Sequence, residues 1–127
     1  MLREMCRMEF GKIWDSQELF GYFAWPTAGR LPDGRLIVVC SGFRMRHVCP
    51  FGKVTAFYSD DEGKTWSSPA VLSSSILDNR DAGLCVSGGK VLLTTFTVSR
   101  AVQRKYMDMW YRQEGMEKEY AFILSYL

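Results

Sequence analysis

The 127-residue chain carries 16 basic and 14 acidic side chains, 47% hydrophobic residues and a formal net charge of +2. That composition supplies a core for one globular domain, and the mixed charges form no basic stripe, which excludes the electrostatic footprint of a nucleic-acid binder. No run approaches the roughly 18 apolar residues of a membrane helix, and Met1 to Phe10, with Arg3, Glu4, Arg7 and Glu9, has no apolar core of a signal peptide. A cytoplasmic location without a membrane span is the expectation. Cys6, Cys40, Cys49 and Cys85 form no C-x-x-C pair and no metal-ligand spacing. Cys40 and Cys85 lie in apolar runs, so buried free thiols are expected. With a lone His47 beside scattered cysteines, neither a metal nor a cofactor is expected.

In chain order, Met8 to Ile13 reads as a short strand, followed by a polar stretch and the aromatic cluster Phe20, Tyr22, Phe23 and Trp25. Pro26 opens Thr27-Ala28-Gly29-Arg30-Leu31, whose small residues suit a crowded inner strand. Pro32-Asp33-Gly34 is a turn signal, and Leu36 to Cys40 is a continuous apolar run expected to be buried on both faces. Gly42 to Gly52 is a loop, and Lys53 to Tyr58 and Ala70 to Leu72 complete a four-stranded antiparallel meander. After the polar loop Ser73 to Asn79, Ala82 to Val86, a Gly88-Gly89 turn and Lys90 to Val98 begin a second unit. Gly34-Arg35-Leu36 matches Gly89-Lys90-Val91 at an offset of 55 positions, which sets Thr27-Ala28 opposite Ala82-Gly83. From Arg100 to about Tyr120, Val102, Tyr106, Met109, Trp110, Met116 and Tyr120 recur at helical spacing, with Gly115 as an interruption. Extended structure is expected again at Ala121 to Tyr126, because Phe122-Ile123-Leu124-Ser125 is similar to Ala56-Phe57-Tyr58-Ser59.

Between the third and fourth strands lies Ser59-Asp60-Asp61-Glu62-Gly63-Lys64-Thr65-Trp66. An Asp at such a turn accepts backbone N–H bonds, Gly63 takes a positive φ, and Trp66 anchors the return strand. Ser59, Asp61, Gly63, Thr65 and Trp66 make the pattern Ser-x-Asp-x-Gly-x-Thr-Trp, which resembles the Asp-box, or BNR repeat, of the sialidase-type β-propellers. The resemblance extends to Trp25-Pro26, to Pro32-Asp33-Gly34-Arg35-Leu36, and to Asn79-Arg80-Asp81-Ala82-Gly83. It implies an all-β fold of antiparallel four-stranded blades in a six-bladed propeller. About two blades are present, one over about 22–72 and an incomplete one over about 80–127 with a helical insertion near 101–120. Since propellers hold roughly four to eight blades of about 40–50 residues, the chain reads as an N-terminal fragment that stops where a second Asp-box would begin.

Consecutive connections of a meander alternate between its two ends. The turns at Pro32 to Gly34, Asp60 to Gly63 and Gly88-Gly89 share one end. Tyr22 to Trp25, Gly42 to Gly52, Ser73 to Asp81 and the helical insertion share the other, with Arg100 and Arg104. Binding residues concentrate on such loops, so the candidate site comprises Trp25, Arg44, Arg46, His47, Arg80 and Asp81. Arginine forks suit a carboxylate or phosphate, and Trp25 offers a ring face to a sugar. Each has a structural alternative: Arg44 and Arg46 as loop cations, His47 as a hydrogen-bonded histidine, Arg80 and Asp81 as a local ion pair or turn, Trp25 as core.

Members of the sialidase family are exo-acting glycosidases that remove terminal sialic acid. The resemblance implies three arginines on the substrate carboxylate, an Asp as acid/base, and a Tyr–Glu nucleophile, an exception to the two-carboxylate scheme. Here Ala24-Trp25-Pro26 replaces the Arg-Ile-Pro of the family, and Arg44 to Val54 contains no carboxylate where the acid/base belongs. Asp81 is the nearest substitute, and the nucleophile would come from later blades. The expected function is therefore a divergent sialidase-like glycoside hydrolase acting on an acidic sugar or related glycan, with a non-catalytic glycan- or protein-binding propeller as the alternative.

Overall fold

The computed structural model describes residues 10–112 and 114–127. Nine elements follow one another: β1 (Tyr22–Arg30), β2 (Leu36–Arg44), β3 (Lys53–Ser59), β4 (Ala70–Ser73), β5 (Asp78–Ser87), β6 (Lys90–Val98), α1 (Arg100–Lys105), α2 (Met107–Tyr111) and α3 (Glu117–Tyr126). The first four form an antiparallel sheet in the order β1-β2-β3-β4, and β5 pairs with β6 in a second, two-stranded antiparallel sheet. The expected meander over 22–72 is thus present. The expected strand at Met8 to Ile13 falls partly outside the described residues, and 10–13 carry no strand.

β2 is the central strand and is buried along almost its whole length. Its alternation sends Ile37 and Val39 to one face, where they meet Val54, Ala56 and Ala82 with Leu84 and Leu93 packed around them. Val38 and Cys40 point to the other face and line a cleft with Trp14, Phe23 and Phe57. A strand covered on both faces has no reason to alternate with polar residues, which is why its sequence is a continuous apolar run. The β5–β6 pair packs on the first face and is tied there by polar contacts. Thr27 Oγ1 donates to the Ala82 carbonyl at 3.0 Å, and the Asp81 N–H donates to Ser41 Oγ at 2.8 Å.

The turn joining β3 to β4 is built around Asp61. Its Oδ1 accepts from the Thr65 N–H at 2.8 Å and its Oδ2 from Thr65 Oγ1 at 2.7 Å, while Ser59 Oγ donates to Oδ1 at 2.9 Å and accepts from the Gly63 N–H at 2.8 Å. Glu62 and Gly63 take φ values of 60° and 85°, and the Trp66 indole donates to the Gly63 carbonyl at 3.0 Å. The backbone therefore reverses within a few residues, as the sequence pattern requires.

After β6 the chain departs from a second meander. Ala121 to Tyr126, expected to be extended, lies in α3. A short apolar run does not distinguish strand from helix by periodicity. The helix prevails because Tyr120, Ile123 and Leu127, three or four residues apart, face one cluster with Met107 and Tyr111, with Glu117 and Glu119 in the first turn. Gly115, at φ 77°, lies in the turn between α2 and α3, as expected of an interruption. Of the thiols, Cys40 and Cys49 are buried, and burial pushes both above the ordinary thiol range. Cys85 is exposed, contrary to expectation, because it lies on the face of β5 away from the sheet contact; Cys6 lies outside the described residues.

The backbone and hydroxyl bonds from Thr65 hold the Asp61 carboxyl down to about 2. A depressed folded-state value means that the charged form contributes stability above the ordinary carboxylate range near 4, and that this contribution fades as pH falls toward 2. Asp61→Asn is therefore expected to lower the urea midpoint at pH 7 and to flatten the loss of stability between about pH 4 and pH 2. An unchanged acid limb in the variant would contradict the role given to Asp61.

Candidate binding cleft

β2 ends on Arg44, a fully buried arginine. Its guanidinium meets Asp78 as a fork, Nη1 donating to Oδ1 at 2.7 Å and Nη2 to Oδ2 at 3.0 Å. The remaining N–H groups go to backbone carbonyls: Nε to Arg46 at 3.3 Å, Nη1 to Asn79 at 3.3 Å and Nη2 to His47 at 2.9 Å. All five donors of the side chain are thus engaged. The loop after β2 is wrapped around this guanidinium, and the start of β5 is clamped to the same point. Burial pushes the Asp78 carboxyl up, with Arg44 and then Arg80 pulling against it.

Trp25 packs beside two cations. Its ring is 5.5 Å from the Arg44 guanidinium carbon and 5.1 Å from that of Arg80, and 4.9 Å from the His47 ring. To reach this place its backbone takes φ 56°, where β1 loses register with β2. Arg80 is nine-tenths buried, with Nη1 at 3.8 Å from Asp78 Oδ2 and a buried Nε that has no hydrogen-bond partner among the described residues. Its carbonyl accepts from Thr95 Oγ1 at 2.7 Å. Asp81 follows at a bulge in β5 with φ 48°, its side chain exposed.

Beside these residues opens a cleft of about 390 Å³ lined by Arg46, His47, Val48, Arg80, Met109 and Trp110. The structure thus brings Arg46, His47 and Arg80 together, and α2 supplies the opposite wall. Arg46 Nη1 also donates to the Tyr111 carbonyl at 3.2 Å, which ties that wall to the loop. Tyr111 is anchored in turn: its hydroxyl donates to Gln103 Oε1 at 2.9 Å, and burial pushes that hydroxyl well above the ordinary tyrosine range. Arg44 and Trp25 stand behind the cleft as its support, and Asp81 is not among the lining residues. Arg100 donates to the carbonyls of Tyr126 and Leu127, and Arg104 is exposed on α1.

Sequence reasoning missed Asp78, the counter-ion on which the arrangement rests. The available signal was that Asp78 is the single acid of the polar stretch Ser73 to Asn79, at the end already rich in arginine. It also missed Gly52, where an added Cβ would lie 2.1 Å from Arg44 Nη1 and 2.4 Å from Asp78 Oδ1. Met109 and Trp110 were read as helix packing, and they also form the far wall of the cleft. No group of His, Cys, Asp or Glu suited to a metal ion occurs among the described residues, and no helix there is long and apolar enough to cross a membrane. Neither a family model, nor a curated protein, nor a solved structure matches the chain.

Two stability measurements check the pair. Asp78→Asn leaves a buried guanidinium without its counter-ion and is expected to cost about 3–5 kcal/mol, whereas the double variant Arg44→Met/Asp78→Leu removes both charges and should lose far less. Gly52→Ala should cost roughly 3 kcal/mol, because the Arg44 side chain it strikes is pinned on all sides and has nowhere to retreat. Urea unfolding of the four proteins gives the comparison, and a Gly52→Ala protein as stable as the parent would contradict the close packing.

Proposed function

We propose that the chain forms blades of a sialidase-like β-propeller, that the protein is a glycoside hydrolase, and that the cleft is part of its pocket for an acidic sugar. The observation that carries this reading is the division of the four-stranded sheet. The Asp61 turn, with its Asp-box hydrogen bonds, lies at one end, and the cationic cleft lies at the other. The β1–β5 contact supports it, since residues aligned by the internal repeat, Thr27 and Ala82, are joined by a hydrogen bond. In this reading β1–β4 are blade one, β5 and β6 belong to blade two, and further strands pair along β6, whose Val91, Leu92 and Phe96 are exposed.

Chemically, Arg80 lines the cleft with its guanidinium held against the Trp25 ring, and Arg46 and His47 add donors on the same side. A carboxylate entering there meets cationic donors, with Asp78 set back at 3.8 Å from Arg80 and no acid among the described lining residues. Trp110 and Met109 give the ring of the sugar an apolar wall. Asp81, exposed beside Arg80, is the candidate acid/base, and the nucleophile belongs to blades beyond this sequence. One observation favours the second reading, a non-catalytic glycan-binding propeller: among the described residues no carboxylate lines the cleft.

Ligand-observed NMR on this chain with glucuronic acid, N-acetylneuraminic acid and neutral galactose tests the pocket. An acidic sugar should bind and galactose should not, and Arg80→Ala should weaken the acidic sugar at least tenfold. Equal binding of the neutral sugar, or an unaffected Arg80→Ala, would remove the cleft from the account. Hydrolysis is tested with aryl glycosides of acidic sugars on the longest chain containing this sequence. Turnover lost in Asp81→Asn supports the hydrolase, and binding without turnover supports the second reading.

A further inference from the structure

A second cavity, of about 390 Å³, shares no lining residue with the arginine cleft. It lies between the loop after β2, the start of β3, the connection after β4 and helix α3. Its walls are aromatic: Phe51 lies at the centre, edge-on to Phe20 at 5.8 Å, stacked with Phe122 at 5.3 Å and against Tyr126 at 4.6 Å. Phe43 completes the wall at φ 52°, a left-handed backbone that a bulky side chain rarely adopts.

Against this apolar lining stand three polar side chains, Lys53, Ser74 and Ser75. The Lys53 ammonium rests 5.6 Å from the centre of the Phe43 ring and makes no ion pair with a carboxylate among the described residues. A second cation, Arg100, sits 5.3 Å from the centre of the Tyr126 ring. Two cations therefore flank the cavity, and among the described residues no carboxylate pairs with Lys53. Aromatic walls with few convergent polar groups are the usual make-up of a small-molecule site, and the volume falls in the usual range.

We propose that this cavity binds a small arylcarboxylate. Its ring lies in the cavity against the wall that Phe51, Phe122 and Tyr126 form in mutual contact, with Phe20 and Phe43 beside it, where edge-to-face and offset contacts are open to a flat guest. Its carboxylate takes the Lys53 ammonium, with the Ser74 hydroxyl as a further donor. A neutral ring of the same shape leaves Lys53 without a counter-ion, and an aliphatic acid leaves the aromatic walls poorly filled. Charge and shape together select an anionic aromatic compound.

The test uses 2-naphthoate as probe, with 2-naphthalenemethanol as its neutral analogue, followed by calorimetry and by chemical-shift mapping on the whole chain. Naphthoate is expected to bind saturably, with the alcohol at least tenfold weaker. Lys53→Met should weaken naphthoate at least tenfold, and Ser74→Trp, which fills the mouth from an exposed position, should abolish binding. Arg80→Ala should leave binding unchanged, and the shifted resonances should be those of Phe51, Phe122 and Tyr126. Absence of saturable binding, equal affinity for the alcohol, or loss of binding in Arg80→Ala with retention in Lys53→Met would each overturn the proposal.

Discussion

The Arg44–Asp78 pair is the interaction on which the loop end of this protein depends. Both side chains are fully excluded from solvent, and removing two charges from water costs several kcal/mol per ion before any attraction is counted. The upward push on the Asp78 carboxyl reflects that cost. The pair therefore contributes arrangement more than net stability. It fixes where the loop after β2 turns, because the carbonyls of Arg46 and His47 face the guanidinium, and it fixes where β5 begins, because Asp78 and the Asn79 carbonyl face it from the other side. Gly52 is small because these groups converge at its Cα.

From that anchor the candidate cleft follows. Trp25 packs on both Arg44 and Arg80, and Asp78 Oδ2 lies near both guanidinium groups, so the second arginine is held at the same anchor as the first. Arg46 and His47, whose backbone is committed to Arg44, turn their side chains to the cleft. The strained φ values of Trp25 and Asp81 occur at the same end, at breaks in strand register. The opposite end shows a different economy, with short turns stabilised by local bonds such as those of Asp61. Rigid turns at one end and wrapped loops at the other are what a sheet that presents a binding surface requires.

Much of the fold was legible because the signals were local. The turn at Asp61, the glycine at 63 and the apolar β2 each declare themselves within a few residues. Ala121 to Tyr126 was misread because its apolar run fits two periods, and the contact that decides between them, Ile123 on Tyr111 and Met107, is tertiary. At the loop end the residue types of the candidate cleft were legible, and their packing was not. Arg44 and Arg46 are two residues apart, yet one closes β2 as the buried support and the other, in the loop that follows, lines the cleft. Only a partner 34 positions away, Asp78, distinguishes them. Trp25 carries the same lesson: half-buried, it packs against Arg44, Arg80 and the His47 ring, contacts that no local pattern announces.

The most direct test of this account is the NMR signal of the Arg44 guanidinium itself. Held by five hydrogen bonds in a solvent-free pocket, its Nη protons should appear as separate, slowly exchanging resonances, distinct from the averaged signals of exposed arginines. A single averaged resonance exchanging rapidly with water would mean that the fork is open in solution, and the organisation of the loop end around it would have to be abandoned.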